Sequence, residues 1–259
     1  MKISIITICF NSEKTISRTI ESVISQDYQN VEYIVIDGNS SDETIDIIKS
    51  FGDSIDVLQS ESDTGIYDAF NKGLKLATGD VIGFLNSDDY FVSSQILSDI
   101  SREFSRDSNL DILLSGVRFI SSQSFNITRT FSAVGFQSWK MYLGLMPPHP
   151  GSFISQNVYK KVGNFDESFL IAGDFEFFVR VFMKNNFNYK IINKFTVAMA
   201  LGGASTSGFK SYSVITDELS RSLAQNGLMG SRLLLSCRGL FKLRQLFKKF
   251  QLKRNMQIS

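Results

Sequence analysis

The chain's 259 residues, 43% hydrophobic and 20% charged, suffice for one large α/β domain with a substantial core. Its 27 Lys and Arg against 26 Asp and Glu leave a net charge of +1, which excludes nucleic-acid binding through bulk charge. Two widely separated cysteines, Cys9 and Cys237, and one histidine, His149, exclude a disulfide scaffold, a structural zinc site and a multi-histidine metal centre, and point to a reducing compartment.

Residues 3–10, rich in β-branched side chains, read as a buried strand. No small-residue cleavage site follows, so the segment does not read as a signal peptide. No window of about 18 apolar residues exists to span a membrane, and the chain is expected to be soluble and cytoplasmic. Residues 13–26 set Ile16, Ile20, Val23 and Ile24 at helical spacing. A strand follows over 32–37, then a helix over 41–51 with Ser41 or Asp42 as its cap. A third strand covers 57–61, a helix with Ala69, Phe70, Leu74 and Ala77 on one face covers 67–77, and a fourth strand covers 81–85. Repeated β-α units of this kind predict a mostly parallel sheet with helices on both faces. Beyond Asp89 the pattern is mixed. Helices are expected over 95–104, 157–161 and 174–185, and strands over 110–120, 126–131, 151–155 and 190–199. All three prolines fall in a loop at 146–151, and residues 202–208 have the small, polar composition of a mobile loop.

Three polar clusters fall at predicted strand ends: Thr7 to Asn11, Asp37 to Asp42, and Asn86 to Asp89. Turn chemistry alone accounts for any one of them. Three on one sheet edge point to a site, since ligands of such sheets bind outside the carboxyl ends of the strands. Adjacent carboxylates such as Asp88 and Asp89 repel unless something compensates, and a hard divalent cation held by one or two carboxylates plus substrate phosphates does so. No GxxxxGK[ST] or GxGxxG stretch exists, so neither a P-loop nor a dinucleotide fold is supported.

The ordered set Thr7-x-x-Phe10-Asn11, Val35-Ile36-Asp37-Gly38-x-Ser40-x-Asp42, Asp63-x-Gly65-Ile66-Tyr67-Asp68-Ala69-x-Asn71-Lys72-Gly73 and Phe84-Leu85-Asn86-Ser87-Asp88-Asp89 closely resembles family 2 glycosyltransferases of the GT-A fold. The resemblance is to their bacterial polysaccharide-assembly branch. It continues through His149-Pro150-x-x-Phe153 and Gly163-x-Phe165-Asp166-Glu167 to Ala172-Gly173-Asp174-Phe175-Glu176, and covers about residues 1 to 205.

That resemblance implies a nucleotide diphosphate sugar donor, expected to be UDP-linked, at the strand ends. Thr7 and Phe10 would flank the base, with Asn11 beside them, and Asp37 would accept a hydrogen bond from the pyrimidine ring. Phe10 as a core residue and Asp37 as a turn cap are the plain alternatives. Lys72 would face the diphosphate with Asp68 nearby, unless the two form an ordinary i, i+4 ion pair. The family's metal motif is usually Asp-x-Asp. Here Asn86-Ser87-Asp88 leaves Asp88 to bind Mn²⁺ or Mg²⁺, and Asp89 to orient the loop or a sugar hydroxyl. Asp174 resembles the catalytic base of an inverting displacement, with Gly173 where a glutamate often stands; a plain helix cap is its alternative. His149 would line the acceptor or donor-sugar pocket, unless it is structural. Arg180 reads as a structural partner of Glu176. Residues 202–208 would close over the donor and exclude water.

This assigns residues 1–110 to donor binding, 111–208 to acceptor binding and the base, and 209–259 to a basic helical tail. After Glu218 no acidic residue appears, while Leu233, Cys237, Leu240, Leu243, Phe247 and Phe250 repeat at helical steps. Such a tail lies on an anionic membrane surface or docks on the protein's own core. The expectation is an inverting, metal-dependent glycosyltransferase acting on a glycan or lipid-linked hydroxyl in surface polysaccharide synthesis, at the inner face of the cytoplasmic membrane. A nucleotide-sugar-binding module without turnover and a nucleotidyltransferase are the rivals.

Overall fold

The computed structural model describes residues 1–121, 126–200 and 209–236. Among the described residues nine strands form one sheet in the order β3-β2-β1-β4-β8-β6-β9-β5, with β7 paired to β6. The first half is parallel: β1 (Ile3–Cys9) lies between β2 (Val31–Asp37) and β4 (Val81–Phe84), with β3 (Val57–Ser60) outside β2. The second half is mixed. There β8 (Ser152–Ser155) runs antiparallel to both β4 and β6 (Ile112–Ile120), and β9 (Tyr189–Ala200) runs parallel to β6 in the longest ladder. The two-residue β5 (Tyr90–Phe91) and β7 (Ile127–Phe131) complete it.

Alternation along β1 and β2 sends apolar side chains to both faces, which is why helices cover both. Ile3, Ile5, Tyr33 and Val35 pack with Ile20 of α1 (Ile16–Ile24), Ile48 of α2 (Thr44–Ser50) and Ile100 of α4 (Ile96–Arg106). Ile6, Ile8, Ile34 and Ile36 face the cluster holding Phe70 of α3 (Ile66–Leu76), Val158 of α5 (Gln156–Val162) and Phe177 of α6 (Gly173–Met183).

The predicted elements form, with shifts that local hydrogen bonds explain. The strand expected over 3–10 ends at Cys9, the last residue in register with Asp37, so Phe10 lies beyond the sheet. The first helix starts at Ile16 because the Ser12 carbonyl accepts the N–H groups of Thr15 and Ile16 in a preceding turn, both at 3.0 Å. The second starts at Thr44, whose N–H and hydroxyl both donate to Asp42 Oδ1. The segment from residue 209 divides. Helix α7 (Phe209–Gln225) docks against α6 and contributes Leu219 and Leu223 to the core, followed by the short α8 (Arg232–Ser236) with Leu235 buried. The loop 202–208 and the basic run 237–259 lie outside the described residues. Among those that are described, no helix is long and apolar enough to cross a membrane.

Candidate active site

Strand pairing brings the carboxyl ends of β2, β1 and β4 side by side, and two polar loops are stapled there. Asn11 turns the chain with φ +47°, a conformation Asn tolerates. Its N–H donates to Ser40 Oγ at 2.8 Å and its Oδ1 accepts the Ser41 N–H at 2.9 Å. Ser87 extends the staple to β4: its N–H reaches the Ile8 carbonyl at 3.2 Å, and its hydroxyl lies 2.8 Å from that of Ser12.

Phe10 is 62% exposed, so it is not a core residue and its ring is open to a ligand. Asp37 is fully buried and accepts the Ser40 N–H (3.0 Å), the Ser40 hydroxyl (2.5 Å) and the Ser60 hydroxyl (2.7 Å). The turn-capping role of Asp37 is thus present in this structure. Gly38 is required beside it: a Cβ there would stand 2.6 Å from Asp63 Oδ2 and 3.4 Å from the Phe10 ring. Asp63, a half-buried carboxylate raised by burial, therefore shares this edge with Phe10 and Gly38. Thr7 does not reach the open edge, since it is fully buried with its hydroxyl 3.1 Å from that of Tyr33.

At the end of β4, Asn86 accepts the Asp89 N–H through its carbonyl, closing a turn. The Asp88 carboxylate is raised by burial, and its main-chain carbonyl accepts from Arg18 at 3.1 Å. Asp89 is 1% exposed. It accepts the Ala200 N–H, while its Oδ2 finds no partner among the described residues, and burial together with the Asp88 charge pushes it well above the usual carboxylate range. An orphaned buried carboxylate oxygen beside a second carboxylate is the donor chemistry of a hard cation that also draws on substrate oxygens. Among the described residues no group of three or more His, Cys, Asp or Glu side chains gathers into an all-protein metal site.

Lys72 Nζ donates to the Ser62 carbonyl at 2.8 Å and pairs with Glu61 (3.1 Å) and Asp68 (3.3 Å). The i, i+4 pair is therefore present, and it fastens the loop that carries Asp63. Asp68 and Lys72 also line a cavity of about 480 Å³ with Tyr159 and Lys160, to which Phe10, Asp37, Asp88 and Asp174 contribute nothing.

Asp174 stands in the first turn of α6, its Oδ1 accepting the Phe175 N–H at 2.8 Å. Burial lifts its carboxyl to about 6, and the nearby Glu218 charge adds to the rise. The start of α6 is tied to the start of α3, which follows Asp63. Tyr67 donates its hydroxyl to the Ile171 carbonyl at 2.6 Å, and its ring fills the space beside Gly173, where a Cβ would meet it at 2.7 Å. Gly173 is thus a close-approach residue, and Tyr67 leaves no room there for the larger side chain often found in the motif. Asn71 holds the same loop upstream, exchanging hydrogen bonds with the Phe165 main chain at 3.0 and 2.9 Å. Arg180 pairs with Glu176, as its spacing predicts, and also caps the Val162 and Asn164 carbonyls.

His149 lies beside Phe84 at the end of β4, in a ring-lined interior. It is 7% exposed, enclosed by the rings of Phe70, Phe84, Phe165 and Phe178 at centroid distances between 5.3 and 5.8 Å. Its Nε2 has no partner among the described residues, and burial lowers its pKa from 6.5 to about 4. The fold refuses a proton that the unfolded chain accepts. This contribution to stability is complete above pH 6.5 and is lost as pH falls through about 4. At its fullest it is about 3 kcal/mol. Urea unfolding of wild type and His149→Leu across that window should show the wild type losing stability faster on acidification; parallel curves would contradict it.

Asp63, Tyr67 and Glu218 are the site residues that sequence reasoning did not single out. The first two sit inside the quoted motif, but only the fold shows that they touch Gly38 and Gly173. For Glu218 no local pattern gives a signal.

Comparison with known proteins bears on the family and the fold. The model of glycosyl transferase family 2 matches residues 4–169. An uncharacterized glycosyltransferase of Mycobacterium tuberculosis is 33% identical over 180 residues, 69% of this chain and 68% of its own length. The Escherichia coli UDP-Glc:alpha-D-GlcNAc-diphosphoundecaprenol beta-1,3-glucosyltransferase WfaP is 42% identical over 99 residues, 38% of this chain and 39% of its own length. Among solved structures, Staphylococcus aureus TarS 1-349 in complex with UDP-GlcNAc superposes with a TM-score of 0.67 at 20% identity, over 86% of this chain and 66% of TarS 1-349.

Proposed function

The chain belongs to glycosyl transferase family 2, and on that footing we propose that it moves one sugar from a UDP-linked donor to a hydroxyl of a glycan or lipid-linked acceptor, inverting the anomeric centre. The observation that carries the reading is Asp174, a carboxylate held at about 6 at the start of a helix tied through Tyr67 to the strand-end edge. A base so tuned is ionised at neutral pH and still accepts a proton as the acceptor oxygen attacks. The Phe10 face and the Asp63 carboxylate suit stacking and hydrogen bonding to a base. Asp88, with Asp89 behind it, would hold Mn²⁺ or Mg²⁺; when bound, the cation offsets the charge growing on the departing diphosphate.

In this reading residues 1–110 take the donor and 111–208 the acceptor. The basic run after Ser236 lies on the anionic inner face of the cytoplasmic membrane, and the product enters surface polysaccharide. The acceptor named for WfaP, a diphosphoundecaprenol-linked sugar, supports a lipid-linked acceptor, and the TarS complex supports UDP.

Thermal unfolding of the full chain with UDP, GDP, CDP or TDP, each with and without Mn²⁺, tests the donor side. At a hundred times Kd the ligand adds about 2.7 kcal/mol of stability. UDP with Mn²⁺ is expected to raise Tm most. A larger rise with another nucleotide overturns the UDP assignment, and a rise indifferent to Mn²⁺ overturns the metal assignment.

A further inference from the structure

Helix α6 begins without a cap of its own. Ala172, the residue before it, has no side chain to accept a first-turn N–H, and Asp174 Oδ1 accepts the neighbouring Phe175 N–H. The N–H groups of three consecutive loop residues go instead to one carboxylate on α7. Glu218 Oε1 accepts the Leu170 N–H at 2.6 Å, and its Oε2 accepts those of Ile171 at 3.0 Å and Ala172 at 2.8 Å. Glu218 is 7% exposed, and Leu219 and Leu223 anchor its helix in the core. Three charge-assisted bonds at the positive end of a helix make a strong clamp. Its neighbours grip the same loop. Arg221 lies 3.8 Å over the Phe169 ring and donates to the Ser168 carbonyl at 3.0 Å, while Tyr67 holds the Ile171 carbonyl from α3.

We propose that Glu218 is a positioning residue for glycosyl transfer: from α7 it holds the N–H groups of residues 170–172, fixes the loop that enters α6, and so aims Asp174. The proposal rests on reading Asp174 as the base. Glu218 also acts on that base through space. The ionisable groups facing Asp174 are Tyr67 from α3 and Glu218 from α7, and the Glu218 charge disfavours a second anion beside it.

Glu218→Gln keeps the size of the side chain but puts an amide where three N–H groups converge, and Glu218→Asp keeps the charge. Two measurements on the full chain need no substrate. One is amide hydrogen exchange over residues 168–176; the other is the NMR titration of Asp174 in protein with ¹³C-labelled Asp carboxyls, the resonance assigned by its loss in Asp174→Asn. In Glu218→Gln, exchange at residues 170–174 should rise about tenfold, and the Asp174 midpoint should fall by about half a pKa unit. Glu218→Asp should restore the midpoint, and the UDP-induced Tm rise should persist in both variants. Unchanged exchange and midpoint in Glu218→Gln overturn the proposal. So does faster exchange spread over all of α6 with loss of UDP binding, which marks a purely structural role. Should Glu218→Gln fail to fold, Glu218→Asp decides: wild-type exchange and midpoint support the charge clamp, and a wild-type midpoint with fast exchange overturns it. If Asp174→Asn keeps its transfer rate, the base reading fails, while exchange still reports whether Glu218 holds the loop.

Discussion

Asp174→Asn is expected to lower the turnover number by about 10²- to 10⁴-fold, the usual contribution of a positioned base, while leaving UDP binding unchanged. The substitution is nearly isosteric. The side-chain carbonyl of Asn can still accept the Phe175 N–H that Oδ1 accepts at 2.8 Å, so the helix start survives and only the proton acceptor is lost. Wild-type activity should also fall on acidification with a limb near pH 6, because burial and the Glu218 charge raise this carboxyl to about 6 and the base is occupied by a proton below it. Above the limb the rate should be flat until another group titrates. Initial rates with the UDP-sugar that raises Tm most, taken from pH 5 to 8 in both proteins, check this. A mutant rate within twofold of wild type, or a limb that does not move with Asp174, would assign the base elsewhere.

The parallel half of the fold was legible because its signals are local. Short β-branched apolar runs and helical stripes place β1 to β4 and α1 to α3 within a few residues. Strand ends then gather Phe10, Asn11, Asp37 and Asp88, as expected for a sheet with one open edge. What was not legible depends on contacts between distant segments. Thr7 and His149 are polar residues whose surroundings decide their role, and those surroundings are Tyr33 for one and four phenylalanines from two helices, a strand and a loop for the other. Residues 209–225 fall in the expected tail, and Leu219, Leu223 and the buried Glu218 dock them on α6, the core-docked alternative. No reading of the isolated segment shows that a glutamate there holds a loop more than forty positions earlier, since the three N–H groups it accepts have no side-chain signature.

Asp88→Asn should abolish the part of UDP stabilisation that depends on Mn²⁺ and leave the metal-independent part. Asp88 is the carboxylate that can approach a ligand from the end of β4, whereas Asp89 is 1% exposed and keeps one oxygen on the Ala200 N–H. The family's usual first carboxylate is Asn86 here, so no second acidic side chain precedes Asp88 to compensate. With hard-ion sites of one or two carboxylates plus phosphate oxygens, loss of the nearer one should weaken metal-dependent UDP binding by at least about tenfold, or about 1.4 kcal/mol. Asn86→Asp should act oppositely, since it restores a second hard donor two residues away, lowering the Mn²⁺ concentration at which UDP raises Tm. Titrating Mn²⁺ at fixed UDP in wild type and both variants separates the effects. If Asp88→Asn keeps the wild-type Mn²⁺ response, the cation is held elsewhere. If Asn86→Asp alone strengthens it, the amide at position 86 is the reason the native site leans on substrate oxygens.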